Sequence, residues 1–163
     1  MSTRATVHFY LEGEDTPESL VYRHGDGYPA GLGRDLVRFC DELEQNLDDT
    51  RFCDPGLLAA RWVVFDAHNY QETINACVKP GEPAKLTHRC DFLSVRVLQA
   101  DSGGIEYRYL ILCRGRYGPG RRPRIICQKV SCSYPGNVWT VERKLEIPNK
   151  SKRGGKTRIA EAA

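Results

Sequence analysis

The chain lacks any apolar run near the roughly 18 residues needed to cross a bilayer. Its opening residues, MSTRATVHFYLEGED, also lack the basic segment followed by an apolar one that marks a secretory leader. A cytoplasmic protein without a membrane partner is therefore expected. No CxxC pair occurs among the seven cysteines, Cys40, Cys53, Cys77, Cys90, Cys113, Cys127 and Cys132. An odd count without paired spacing argues against a disulfide framework or a structural zinc site, and for reduced thiols used as small buried apolar groups. There is no HExxH, no GK[ST] ending a phosphate loop, no GxGxxG opening a βαβ unit, and no internal repeat. No metal or cofactor is implied.

What is present is ordinary globular material. With 163 residues, 40% of them hydrophobic, the chain can form one domain that buries roughly two thirds of the surface its unfolded form exposes. The expected division is a single α+β domain over residues 1–148 and a basic, disordered tail over 149–163, where NKSKRGGKTRIAEAA has no apolar period.

Periodicity supplies the elements. Residues 4–11 alternate, with Ala5, Val7, Phe9 and Leu11 on one face, and residues 19–24 form a second strand across a turn-rich EGEDTPE, so a hairpin is expected. From 31 to 47 the period lengthens: Leu32, Leu36, Phe39, Cys40, Leu43 and Leu47 recur at helical steps. Asp54-Pro55 suits the start of a second helix, a capping side chain followed by proline at the first helical position. Its body, GLLAARWVVF, predicts a short, largely buried helix. A small strand is expected near 73–78. Residues 90–98 and 105–113 flank ADSGG, and 124–132 and 138–145 flank SYPGN, which predicts four C-terminal strands in a meander. The expected fold is α+β: an antiparallel sheet of about five to seven strands with two helices packed on one face.

Two stretches invite a functional reading. In VYRHGDGYPAGLGRDL a strand ends and a glycine-rich loop leads into a helix. As a plain turn, Gly25 and Gly27 supply positive φ, Asp26 an Asx turn, and Pro29 a fixed φ. As a site, free amides at the helix start, with Arg23, His24, Gly25, Asp26, Gly27, Tyr28 and Arg34 around them, suit a phosphate or carboxylate. His24 with Asp26 is a weak catalytic pair, since residues two apart in a loop need not face each other. His8, His68 and His88 read as ordinary surface or hydrogen-bonded histidines.

The second stretch is RGRYGPGRRPR, residues 114–124, with five arginines in eleven positions. Arg114, Arg116, Arg121, Arg122 and Arg124 can grip phosphate oxygens bidentately, and Tyr117 can stack on a base. Alternatively the segment is a solvated loop that keeps a sheet edge charged. Charge is unevenly spread: residues 1–60 hold 12 acidic and 5 basic groups, residues 61–163 hold 9 acidic and 19 basic. Such a split marks either an anion-binding surface or two halves that pair within the monomer.

The motifs STRATVHFY, VYRHGDGYPAGLGRDL and DTRFCDPGLLAARWVVF resemble a family of small uncharacterised prokaryotic and phage-borne proteins, over a stretch ending at Phe65. The resemblance implies no catalytic roles. It implies a bacterial, archaeal or phage setting and a part in host–phage conflict. The functional expectation is a non-enzymatic protein that binds an anionic ligand, a nucleotide or nucleic acid. The alternatives are an inhibitor or adaptor of a host protein complex, and a small nuclease or hydrolase using His24 and Asp26.

Overall fold

A computed structural model describes residues 3–46, 52–76, 93–96, 104–115, 121–133 and 138–147. Strands β1 (Ala5–Leu11) and β2 (Ser19–Arg23) are followed by helices α1 (Arg34–Asn46) and α2 (Pro55–Ala76), and then by β3 (Leu93–Arg96), β4 (Tyr107–Arg114), β5 (Arg121–Ser133) and β6 (Val138–Ile147). The fold is α+β, with one six-stranded sheet in the order β3-β2-β1-β4-β5-β6.

The expected β1–β2 hairpin forms, with Ala5 opposite Arg23 and Phe9 opposite Ser19. β4–β5 and β5–β6 are antiparallel as well. The sheet is nevertheless mixed, not antiparallel, because β4 runs parallel to β1, from Ala5 opposite Tyr107 to Leu11 opposite Cys113. A parallel pair requires a long crossover, and everything between β2 and β4 supplies one. The register also explains the preference. Tyr109, Ile111 and Cys113 continue across β4 the apolar face that Val7, Phe9 and Leu11 begin.

The meander is likewise corrected. β3 does not pair with β4 across ADSGG; it pairs antiparallel with β2 at the far edge of the sheet. A turn signal shapes the backbone locally but does not choose the partner of the strand it ends. At the other edge, β6 carries a bulge where the pairing slips between Lys129 opposite Arg143 and Val130 opposite Val141. With exposed Glu142, Arg143 and Lys144, that irregularity discourages a further strand from adding.

The helices differ from expectation in length. Asp54 does cap α2: its Oδ1 accepts from the Leu57 amide at 2.8 Å and its carbonyl from the Leu58 amide at 3.0 Å. The helix then continues for 22 residues, so Thr73–Ala76 is helical and not the start of a strand. Nothing between Pro55 and Pro80 stops it. α2 is also less buried than expected, with Val64 70% and Leu57 41% exposed. At 100° per residue, Val63, Val64 and Phe65 cannot all point inward. Leu58 and Trp62 define the inner stripe, which leaves Val64 on the opposite side.

Both helices join one core. Leu36, Phe39 and Cys40 of α1 and Leu58, Ala59 and Trp62 of α2 belong to the same buried cluster as Ala5, Val7 and Phe9 of β1 and Tyr109, Ile111 and Cys113 of β4. Phe39, Trp62 and Phe65 meet ring to ring at 5.3–5.7 Å. Cys40, Cys113 and Cys127 are buried free thiols, and burial raises the pKa of each. Cys53 is half-buried.

Charge pairing stitches the acidic first part to the basic second. Arg122, on β5 and nearly buried, bonds Asp41 of α1 and lies 3.3 Å from Glu44. Arg114 and Arg124 both reach Glu12, just past β1, at 3.3 and 3.6 Å, and Arg124 also holds Glu146 of β6. Replacing a buried charge whose partner stays behind typically costs about 3–5 kcal/mol. Asp41 keeps some contact with water, so Arg122→Leu is expected to cost about 2–4 kcal/mol in urea denaturation. Exchanging the pair, Arg122→Asp with Asp41→Arg, is expected to recover part of that loss.

Candidate functional site

The loop after β2 is a tightly supported turn. Arg23 turns inward: its Nη1 donates to Asp35 Oδ2 at 3.0 Å and Asp66 Oδ1 at 3.1 Å, while its Nε donates to the Gly25 carbonyl at 3.0 Å. The Gly27 amide donates to the Thr3 carbonyl, and the buried Tyr109 hydroxyl donates to the Gly27 carbonyl at 2.8 Å. Burial pushes the Tyr109 pKa far up, so the hydroxyl stays a donor. Pro29–Gly33 forms a π-helical turn before α1, in place of a helix beginning at Gly31. The Gly31 and Leu32 amides donate to the Tyr28 and Asp26 carbonyls, and the Arg34 amide to the Gly31 and Pro29 carbonyls. Four of the amides expected to cradle an anion (those of Gly27, Gly31, Leu32 and Arg34) are therefore engaged within the turn.

The glycines play a different part from the one expected. Positive φ falls on Asp26, at 52°, and not on Gly25 or Gly27; aspartate tolerates the left-handed region better than most side chains. Gly27 is required by proximity, since a Cβ there would lie 2.7 Å from the Ala5 Cβ and 2.9 Å from the Thr3 carbonyl oxygen. Gly31 is similar, with the Asp26 carbonyl oxygen 2.5 Å from where its Cβ would stand.

The candidate residues do not assemble into one pocket. Arg23 lies opposite Ala5, at one end of β1, whereas Arg114 and Arg124 meet Glu12 beyond the other end. A seven-residue strand separates them, roughly 20 Å. Arg122 points to Asp41 and Glu44. Arg34, Asp26 and Tyr28 are exposed. Arg116 and Tyr117, the tail at 149–163 and His88 lie outside the described residues, as does the side chain of Arg121. The catalytic pair does not form through the nitrogen nearest its backbone: His24 Nδ1 meets the Tyr22 hydroxyl at 2.9 Å. Among the described residues no three His, Cys, Asp or Glu side chains converge on a metal position, and no helix is long and apolar enough to cross a membrane.

Besides the thiols and Tyr109, His8 and Asp66 have displaced proton affinities. Burial lowers His8 to a pKa of about 3, with Arg108 adding to the effect. Its Nε2 meets Thr6 Oγ1 at 3.0 Å and its Nδ1 is buried without a hydrogen-bond partner. Burial raises Asp66 to about 6, Arg23 opposing the shift and Asp35 reinforcing it. One guanidinium nitrogen shared by two carboxylates leaves the second incompletely balanced.

A different feature is a concave surface formed by the two helices. Between α1 and α2 runs a groove of about 580 Å³, within the range of ligand sites. Phe39 and Leu43 form one wall, and Val64 and Phe65 the other. Arg38 straddles its mouth: Nε donates to Glu42 Oε1 at 3.2 Å, Nη2 donates to Asn69 Oδ1 at 2.8 Å, and the guanidinium carbon sits 5.5 Å from the Phe65 ring centroid. His68 and Glu72 complete that end, with Nδ1 3.6 Å from Oε1. Sequence reasoning assigned Phe39 and Leu43 to the core and passed over the groove. Its one sequence signal was the run Val63-Val64-Phe65, which has more apolar width than a single inward face can use.

The chain matches no family model, no curated protein and no solved structure.

Two outcomes are expected. Gly27→Ala loses about 1–3 kcal/mol by overpacking, whereas Asp26→Gly stays within about 1 kcal/mol of the parent, because relief of the backbone offsets added chain entropy; urea midpoints separate the two. Acid titration of stability tests the buried pair. The unfolded chain protonates His8 below about 6.5 while the fold refuses that proton down to about 3, so His8 costs stability as pH falls. Asp66 acts oppositely: its raised pKa favours the fold at low pH, an advantage lost as pH rises through about 6. The two oppose each other between about pH 4 and 6. Asp66→Asn is expected to steepen the loss of melting temperature from pH 7 to 4, and His8→Gln to flatten or reverse it.

Proposed function

We propose that the chain is a non-enzymatic polypeptide-binding module, an adaptor or inhibitor that grips a partner protein in the α1/α2 groove. One observation carries this reading: a concave apolar surface with aromatic walls and a charged rim, in which Val64 is 70% exposed. An aliphatic side chain left open at the edge of such a groove is what a helix-in-groove interface looks like before its partner arrives. Host–phage conflict, the setting implied by the resemblance at the N-terminal motifs, is compatible with an adaptor or inhibitor.

The nucleotide or nucleic-acid reading rests on the basic excess after residue 60. Arg114, Arg122 and Arg124 already hold carboxylates, so a phosphate would have to compete for them. The hydrolase reading is weaker, since His24 Nδ1 is engaged by Tyr22.

Affinity capture from a prokaryotic lysate separates the readings. The parent chain is expected to retain a protein that Val64→Asp releases, with both chains equally folded by circular dichroism. Retention by both chains of material absorbing at 260 nm, with binding that falls steeply as salt rises, would favour nucleic acid instead.

A further inference from the structure

We infer that the occupant of this groove is a single amphipathic helix carrying a carboxylate beside its apolar stripe, and that Arg38 reads that carboxylate; the inference rests on the polypeptide-binding reading above. The helical part follows from the walls. Both sides of the groove are helices, whose main-chain donors and acceptors are satisfied within each helix. They offer no unpaired edge to an extended peptide, which favours an occupant that satisfies its own main chain, as a helix does. The lining steps along α2 from Ala60 through Val64 to His68, about 12 Å at 1.5 Å per residue. That length suits two turns of a partner with anchors at i, i+3 or i+4, and i+7.

The charge follows from Arg38. The side chain is 52% exposed, and its plane is set by Phe65 beneath it and Asn69 beside it. Glu42 takes Nε, and Glu72 stands 4.0 Å from Nη2. Among the described residues no hydrogen bond or ion pair is made by Nη1, which leaves donors of a pre-oriented guanidinium beside the groove for an incoming group. An incoming carboxylate completes the fork. His68, 72% exposed, stands at the same end.

The test is selection of a phage-displayed library of random 16-residue helices on the full chain, with counter-selection on Val64→Asp. Enriched sequences are expected to carry apolar residues at helical spacing with Asp or Glu flanking them. A synthetic winner should bind about tenfold more tightly than its Glu→Gln twin, a difference of about 1.4 kcal/mol. That ratio should fall below about twofold on Arg38→Gln and be partly kept on Arg38→Lys. Winners that are basic or indifferent to charge, or a Glu/Gln ratio unchanged by Arg38→Gln, would overturn the carboxylate assignment while leaving the groove reading intact. Winners whose circular dichroism on binding is not helical would overturn the helical assignment. Failure to enrich any Val64-dependent binder would remove the groove reading itself.

Discussion

Arg23 is the point on which the arrangement turns. One nitrogen of its guanidinium is shared between Asp35 of α1 and Asp66 of α2, and another holds the carbonyl of Gly25. A single side chain from the end of β2 thus ties the sheet to the following turn and to both helices. Asp66 occupies the inward stripe of α2, one turn after Trp62, where the apolar pattern alone would place another leucine. A charge there is tolerable only because a cation meets it. Burial raises the proton affinity of Asp66; Arg23 opposes that shift and Asp35 reinforces it.

The other charges follow the same economy. Arg114, Arg122 and Arg124, which look in sequence like part of a loop built for phosphate, are held by Glu12, Asp41, Glu44 and Glu146. Some of the opposite charges segregated along the chain are here the two sides of intramolecular pairs. The exposed pairs contribute little individually. The Arg122–Asp41 pair is sheltered, so it matters more. Where α1 meets α2 the pairing is different in kind, because Arg38 is oriented by an aromatic ring and an amide and keeps one edge open. Arg38 also pairs with Glu42, so it is the apolar lining beside it that moves attention from the glycine-rich turn to the helix groove.

Much of the local structure was legible. Alternation marked β1, the helical period marked α1, and Asp54-Pro55 marked the start of α2. The turn after β2 was legible as a turn, but its mechanism was not. Sequence put positive φ on the glycines; the structure puts it on Asp26 and uses Gly27 for its missing Cβ against Ala5 and Thr3. That contact joins residues more than twenty positions apart, and no local propensity reports it. The groove was hidden for a related reason. Phe39 is a core residue and Leu43 packs against that core, and only the position of α2 decides that they also line a groove.

The amino-acid order alone marked β1, β2 and the body of α1 and showed where α2 begins, though not how far α2 runs, because alternation, helical period and capping chemistry act over a few neighbouring residues. Tertiary structure decided the rest. It set β4 parallel to β1 and β3 beyond β2, bound the C-terminal arginines to N-terminal carboxylates, and left Val64 and Arg38 facing an open groove. Each of these depends on which distant surfaces share a core. That is settled by the summed burial and pairing of the whole chain, which no short window of sequence contains.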